Sequence, residues 1–191
     1  MEDTKRSRVS GKLINIFNTR YPTAQRNKTI VILFLNAGLR LSELLNLKWK
    51  EINLISGKLK VVESKGAKDR ILYLADNTIK KLKDWKDRQV KEIDKRIDEA
   101  NIRLVFTTLK NNKMDTSNIR KMIKKYAEKA DINKNISPHT LRHTFATDLY
   151  RESKNIRLVQ KALGHSDLST TMIYTHIVDD ELEKALKTFR K

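Results

Sequence analysis

AQRNKTIVILFLNAGLRLSELLNLKW, from Ala24 to Trp49, holds a helix, a stop and the start of a second helix. Ile30, Leu33, Phe34 and Ala37 recur at helical spacing, and Gly38 closes the pattern. Ser42 can cap a short helix, SELLNLKW, with Glu43 in the first turn, where the helix end favours a carboxylate. Arg40 is left at the junction. Taken alone, an arginine after a helix-ending glycine reads as a surface charge.

Downstream, the composition turns to β type. Glu51–Leu54, Lys58–Val62 and Arg70–Leu74 read as strands. Ile55-Ser56-Gly57 and Lys65-Gly66-Ala67-Lys68-Asp69 read as the turns between them. A long charged helix is expected over Asp76–Ala100, its charges forming a solvated face. After RLVF and a polar loop, helices are expected over Thr116–Ala130, Pro138–Glu152, Ile156–Leu163, Ser169–Tyr174 and Asp179–Phe189. The fold class is therefore α+β: mainly α-helical, with a small three-stranded antiparallel sheet in the first half.

The chain of 191 residues suits one domain, with 41 Lys+Arg against 23 Asp+Glu and a net charge of +18. Such an excess draws polyanions, of which nucleic acid is the commonest. An anionic membrane is the rival, but it calls for a basic amphipathic helix or a lipid anchor, and neither end carries a lipidation motif. There is no cysteine, hence no disulfide frame and no thiolate metal site. No apolar run approaches the roughly 18 residues of a membrane span. MEDTKRSRVSGK lacks the apolar stretch of a signal peptide. A cytoplasmic, DNA-associated protein is expected.

Three clusters could carry chemistry: AGLRLSEL around Arg40, SPHTLRH around His139 and Arg142, and LGH followed by Tyr174 nine positions after His165. Each alone is ordinary. Ser-Pro is a common helix opening, with Ser137 as cap and Pro138 at the first helical position. His139 and His143 share the spacing of the zinc signature His-Glu-x-x-His, but its glutamate position holds Thr140, so the general base is missing. Arg142 also sets a fixed positive charge between the supposed ligands. No metal site and no cofactor are expected.

Taken in order and spacing, the clusters resemble the catalytic domain of the tyrosine recombinase, or phage integrase, family, from about Ala24 to Phe189. The family pattern is an arginine in a Gly-Leu-Arg-x-Ser-Glu setting, a lysine in a β-hairpin turn, His-x-x-Arg, Leu-Gly-His, and a tyrosine nine residues on. Those positions are Arg40, Lys65, His139, Arg142, His165 and Tyr174, with Glu43 as the acidic neighbour. Lys68 is the rival for the turn lysine; the Lys-Gly setting of Lys65 matches the family's turn better.

The resemblance implies site-specific recombination of double-stranded DNA through a 3′-phosphotyrosyl intermediate, and each residue has a chemical reason for its job. Arg40 and Arg142, planar and always charged, would grip the non-bridging oxygens as charge builds on phosphorus. His139, lowered in pKa by the helix end and by Arg142, would be the base for Tyr174, whose free-peptide pKa is about 10. His165 would donate to the phosphate, and Lys65 would protonate the leaving 5′ oxygen. One phosphodiester replaces another, so neither ATP nor metal is needed.

The expected organisation is a basic lead-in over residues 1–23 and a catalytic domain over 24–191. Family members usually carry an N-terminal helical core-binding domain that completes a clamp on DNA, and the lead-in is too short to hold one. DNA affinity is accordingly expected to be weak and salt-dependent. Leu182, Ala185, Leu186 and Phe189 form an apolar stripe on the last expected helix, either packed on its own core or exchanged between subunits of a homo-tetramer on DNA. The rival functions are type IB topoisomerase-like relaxation, whose usual extra domains are missing, and a non-catalytic DNA-binding protein, which would leave Tyr174 and both arginines unexplained.

Overall fold

A computed structural model describes residues 2–62, 69–93 and 97–164 of the chain. Its helices are α1 (Glu2–Asn15), α2 (Pro22–Ala37), α3 (Leu41–Asn46), α4 (Asp76–Glu92), α5 (Thr116–Lys129), α6 (Pro138–Ser153) and α7 (Ile156–Leu163). Strands β1 (Lys58–Val61) and β2 (Arg70–Tyr73) form an antiparallel hairpin. The mainly helical α+β expectation holds.

α2 is the central element. Pro22 sits in its first turn, where the fixed φ suits a helix and no N–H is needed. Ile30 through Phe34 are all buried, so this helix is enclosed on every side and packs against α1, α4 and α6. The run Ile30-Val31-Ile32 is β-branched and poor in intrinsic helix propensity. Burial outweighs that preference. Within the 1–23 stretch, Leu13 of α1 and Phe17 beyond it enter the same core.

Gly38 ends α2 in the left-handed conformation, φ 56°, and its N–H closes onto the Phe34 carbonyl. A Cβ here would stand 2.1 Å from Cδ1 of Phe145 on α6. Gly38→Ala is therefore expected to lose about 2–4 kcal/mol, from left-handed strain plus a displaced ring. The melting temperature should fall by roughly 5–15 °C. A thermal melt followed by circular dichroism checks this; an unchanged midpoint would contradict it.

α3 is capped two residues earlier than its sequence suggests. Ser42 is exposed and is not the cap. Arg40 occupies the N-cap position in extended conformation, and its N–H donates to Glu43 Oε2 at 2.6 Å. Glu43 thus serves as the third-position acid that reaches back to the cap.

The sheet departs from expectation as well. Among the described residues it has two strands, Lys58 opposite Tyr73 through Val61 opposite Arg70. The expected strand over Glu51–Leu54 contributes a single bridge, Ile52 to Leu59. Trp49–Glu51 instead forms a 3₁₀ turn, and the Asn53 side chain accepts from the N–H groups of Ile55 and Ser56 at 2.9 Å each, curling the chain too early for a ladder.

α4 is also shorter than expected, ending at Glu92, with a separate 3₁₀ turn over Glu99–Asn101. Its inward face, Ile79, Leu82, Trp85 and Gln89, matches helical spacing only that far. Trp85 is fully buried and donates its indole N–H to the Val105 carbonyl at 2.7 Å. α6 opens as its sequence suggests: Ser137 Oγ accepts from the Thr140 N–H at 3.2 Å, and Pro138 follows the cap. The helices expected over Ser169–Tyr174 and Asp179–Phe189 lie outside the described residues.

Candidate active site

Glu43 is the centre around which the basic residues gather. Its side chain is 6% exposed, on the inner side of α3. Arg40 donates to Glu43 Oε1 through Nη1 at 2.9 Å. Arg70, the first residue of β2, donates to both oxygens, Nη1 to Oε1 and Nη2 to Oε2, each at 2.8 Å. Arg142, from the first half of α6, lies with Nη1 3.8 Å from Oε2. Three guanidinium groups surround one carboxylate, so the cluster keeps an excess of positive charge.

The same arginines seize the end of α7. Arg142 donates from Nη2 to the Leu163 carbonyl at 2.7 Å and from Nη1 to the Gly38 carbonyl. Arg70 Nε donates to the Ala162 carbonyl at 2.9 Å, and Arg40 Nη2 to the Gly164 carbonyl at 3.1 Å. The last carbonyls of a helix have no partner within it, and its negative end attracts cations. Helix α7 ends in left-handed Gly164, φ 66°, so these carbonyls turn toward the cluster rather than continuing a helix.

Burial sorts the arginines by task. Arg70 and Arg142 side chains are 6% and 9% exposed, whereas Arg40 is 38% exposed. Arg40 is the member that an incoming anion meets most openly. Burial pushes the Glu43 carboxyl upward, but the hydrogen bonds and charge of Arg70, the Arg40 N–H and the charge of Arg142 outweigh it and hold the group at about 2.

A carboxyl lowered in the fold contributes stability that is complete above its ordinary value of 4.5 and is lost as pH falls toward about 2. The full contribution is about 3 kcal/mol. Urea unfolding of wild type and Glu43→Gln, compared from about pH 5.5 down to about pH 3, is expected to show their stability difference narrowing by about 2 kcal/mol. A difference independent of pH would contradict the assignment.

Of the residues singled out in the sequence, Arg40, Glu43 and Arg142 come together. His139 stands exposed in the first turn of α6, three residues before Arg142 and hence on a neighbouring position of the same face. Lys65, with its rival Lys68, and His165 and Tyr174 lie outside the described residues. Lys65 falls between the paired strands β1 and β2, and His165 directly follows Gly164, whose carbonyl Arg40 holds. Arg70 was not singled out. Its signal is the alternation of RILY, which puts Arg70 and Leu72 on the inner face while Ile71 and Tyr73 face outward. A buried arginine needs a buried acid, and the structure supplies Glu43.

This arrangement offers fixed, desolvated positive charge beside a partly exposed guanidinium. It suits a phosphate group that gains negative charge during reaction.

Comparison with known proteins shows the family. The sequence profile of the phage integrase family matches residues 6–181. The tyrosine recombinase XerA of Thermococcus kodakarensis is 41% identical over 169 residues, spanning 86% of this chain and 55% of that protein. This chain thus spans about half the length of the curated relatives it matches. The crystal structure of a XerA recombinase superposes with a TM-score of 0.78 at 34% identity, covering 96% of this chain and 63% of that one. A XerH site-specific recombinase, in a post-cleavage complex with a palindromic difH substrate, gives 0.75 at 27% identity, covering 96% and 52%.

Proposed function

The chain belongs to the phage integrase family, and from that premise we propose that it is the catalytic part of a tyrosine site-specific recombinase acting on double-stranded DNA. The observation that carries this reading is the convergence of Arg40 and Arg142, from distant parts of the sequence, on the buried Glu43 carboxylate.

The reaction is a transesterification. The Tyr174 phenol oxygen attacks phosphorus as its proton passes to His139. Arg40, Arg142 and His165 stabilise the charge on the non-bridging oxygens. The bond from phosphorus to the 5′ oxygen breaks, and Lys65 supplies that oxygen with a proton. A 3′-phosphotyrosyl link and a 5′ hydroxyl result, and the hydroxyl of another strand reverses the step to reseal. Glu43 orients the arginines without touching substrate. Four copies on two DNA sites, with the segment around Leu182 and Phe189 exchanged between neighbours, would couple the strand exchanges.

Positive charge in such excess supports a DNA-associated location, which we take as cytoplasmic. No helix among the described residues is long and apolar enough to cross a membrane.

A nicked duplex that loses a short 5′ fragment on cleavage traps the intermediate. Incubated with it in EDTA, the protein is expected to run on a denaturing gel as a covalent protein–DNA adduct. Cleavage that requires added magnesium, or that leaves no protein on the DNA, would reject the mechanism. Relaxation of a supercoiled plasmid lacking any paired site would point to topoisomerase activity instead.

A further inference from the structure

We propose that Arg70 is a positioning residue for strand breakage, holding the arginine pair, the hairpin and the end of α7 in one fixed geometry; the inference rests on the recombinase reading above. One planar group makes two kinds of contact. Its Nη atoms take both Glu43 oxygens at 2.8 Å, which fixes the carboxylate that Arg40 and Arg142 share. Its Nε takes the Ala162 carbonyl at 2.9 Å, three residues before His165 in the chain. Its backbone opens β2, and the Lys60–Asp69 ion pair at 2.9 Å ties the hairpin at that same end. This one guanidinium therefore reaches both the carboxylate that Arg40 and Arg142 share and the last turn of α7.

The fork is what makes the role specific. Two parallel N–H bonds to a carboxylate and a third to a carbonyl need a rigid planar donor. Lysine keeps the charge but has one nitrogen and cannot span all three acceptors. Space enforces the fit from the other side as well: a Cβ on Gly164 would stand 2.9 Å from Arg70 Nη1. A buried ion pair that only stabilises the fold would lower melting temperature and leave the chemical step intact. A positioning residue does the reverse, because misplacing reacting groups by about 1 Å can slow reaction on the order of a hundredfold without weakening binding.

The test uses the full chain carrying Arg70→Lys. Four quantities are read: the single-turnover rate of adduct formation on the nicked duplex, the Kd for that duplex, the melting curve, and the ¹⁵N-detected Nε–Hε signals of Arg40 and Arg142. Adduct formation is expected to slow by about 10–100-fold with Kd within about twofold, and both Nε–Hε signals to shift or broaden. In a Glu43→Gln background the same change should slow the reaction by less than about twofold further, because the two act as one unit. A wild-type rate with a lowered melting temperature, or losses that add fully to those of Glu43→Gln, overturns the proposal. If wild type itself forms no adduct, the recombinase reading fails and the Nε–Hε signals decide Arg70 alone, unperturbed signals overturning it. If Arg70→Lys does not fold cooperatively, Gly164→Ala replaces it with the same expected signature.

Discussion

Tyr174→Phe is expected to form no detectable covalent adduct with the nicked duplex, while its Kd for that duplex stays within about twofold of wild type. The substitution removes one oxygen and leaves the charge of the protein unchanged. Affinity for DNA comes mostly from contacts between basic side chains and phosphates, and a phenol oxygen supplies none of that charge. Reaction, by contrast, depends on that oxygen as the proposed nucleophile that leaves the DNA joined to protein. Water could also break the strand, but the energy of the phosphodiester would then be lost and the nick would persist. Exchange with a tyrosyl ester keeps a bond of the same type, which is why resealing needs no ATP. Denaturing gels and fluorescence anisotropy on one DNA preparation read both quantities. An adduct that survives Tyr174→Phe assigns the nucleophile elsewhere. Equal losses of adduct and affinity would mean that the variant disturbs the fold rather than the chemistry.

The helical frame is legible in the sequence because its punctuation is strong. Gly38 and Gly164 are glycines at left-handed helix ends, and Ser137-Pro138 is a cap followed by a proline with no N–H to waste. Less legible is what lies between such marks. The run through Ile30, Val31 and Ile32 has β-type composition, and only its enclosure by three other helices makes it helical. Glu51–Leu54, expected as a strand, goes the other way, into a 3₁₀ turn and a curl set by the Asn53 side chain. In the first case helical spacing and enclosure override β-branching; in the second a single asparagine side chain overrides the strand pattern.

The candidate site divides along the same line. Arg40, Glu43 and Arg142 stand in motifs whose local context marks them. Arg70 stands in none, and its part depends on carbonyls of α7 some ninety residues away in sequence. Even so, its place on the inner face of a four-residue strand is a sequence-level signal. Charged residues on an inward register position are rare unless paired, so alternation alone raises the question of its partner. What alternation cannot supply is the identity of that partner, because Glu43, Glu51 and Asp69 are all near in sequence to the hairpin. Glu43 wins because its helix turns it inward, where burial rewards a bidentate partner, while Asp69 stays outside with Lys60.

Arg142→Ala should slow adduct formation by about a hundredfold to a thousandfold, the scale seen when one preorganised donor to a developing oxyanion is removed. The structure explains why this arginine should cost more than a surface charge. It is 9% exposed, so its field acts in a medium that screens little, and its guanidinium is held by the Gly38 and Leu163 carbonyls before substrate arrives. No reorganisation is then needed as charge builds on phosphorus. The same burial makes the loss structural in part: two carbonyls lose their donor, which costs about 2 kcal/mol, and Glu43 loses one of its three cations. Arg142→Lys separates these effects. It restores charge near Glu43 but not the two directed bonds, so stability should recover more than rate. Kd for the duplex should change by less than about threefold in both variants, since one phosphate among several is affected. Single-turnover rates, anisotropy and melting curves on the three proteins give the comparison. If Arg142→Ala reacts within tenfold of wild type, or if Arg142→Lys recovers rate and stability in equal measure, Arg142 is a scaffold for the end of α7 and not a clamp on phosphate.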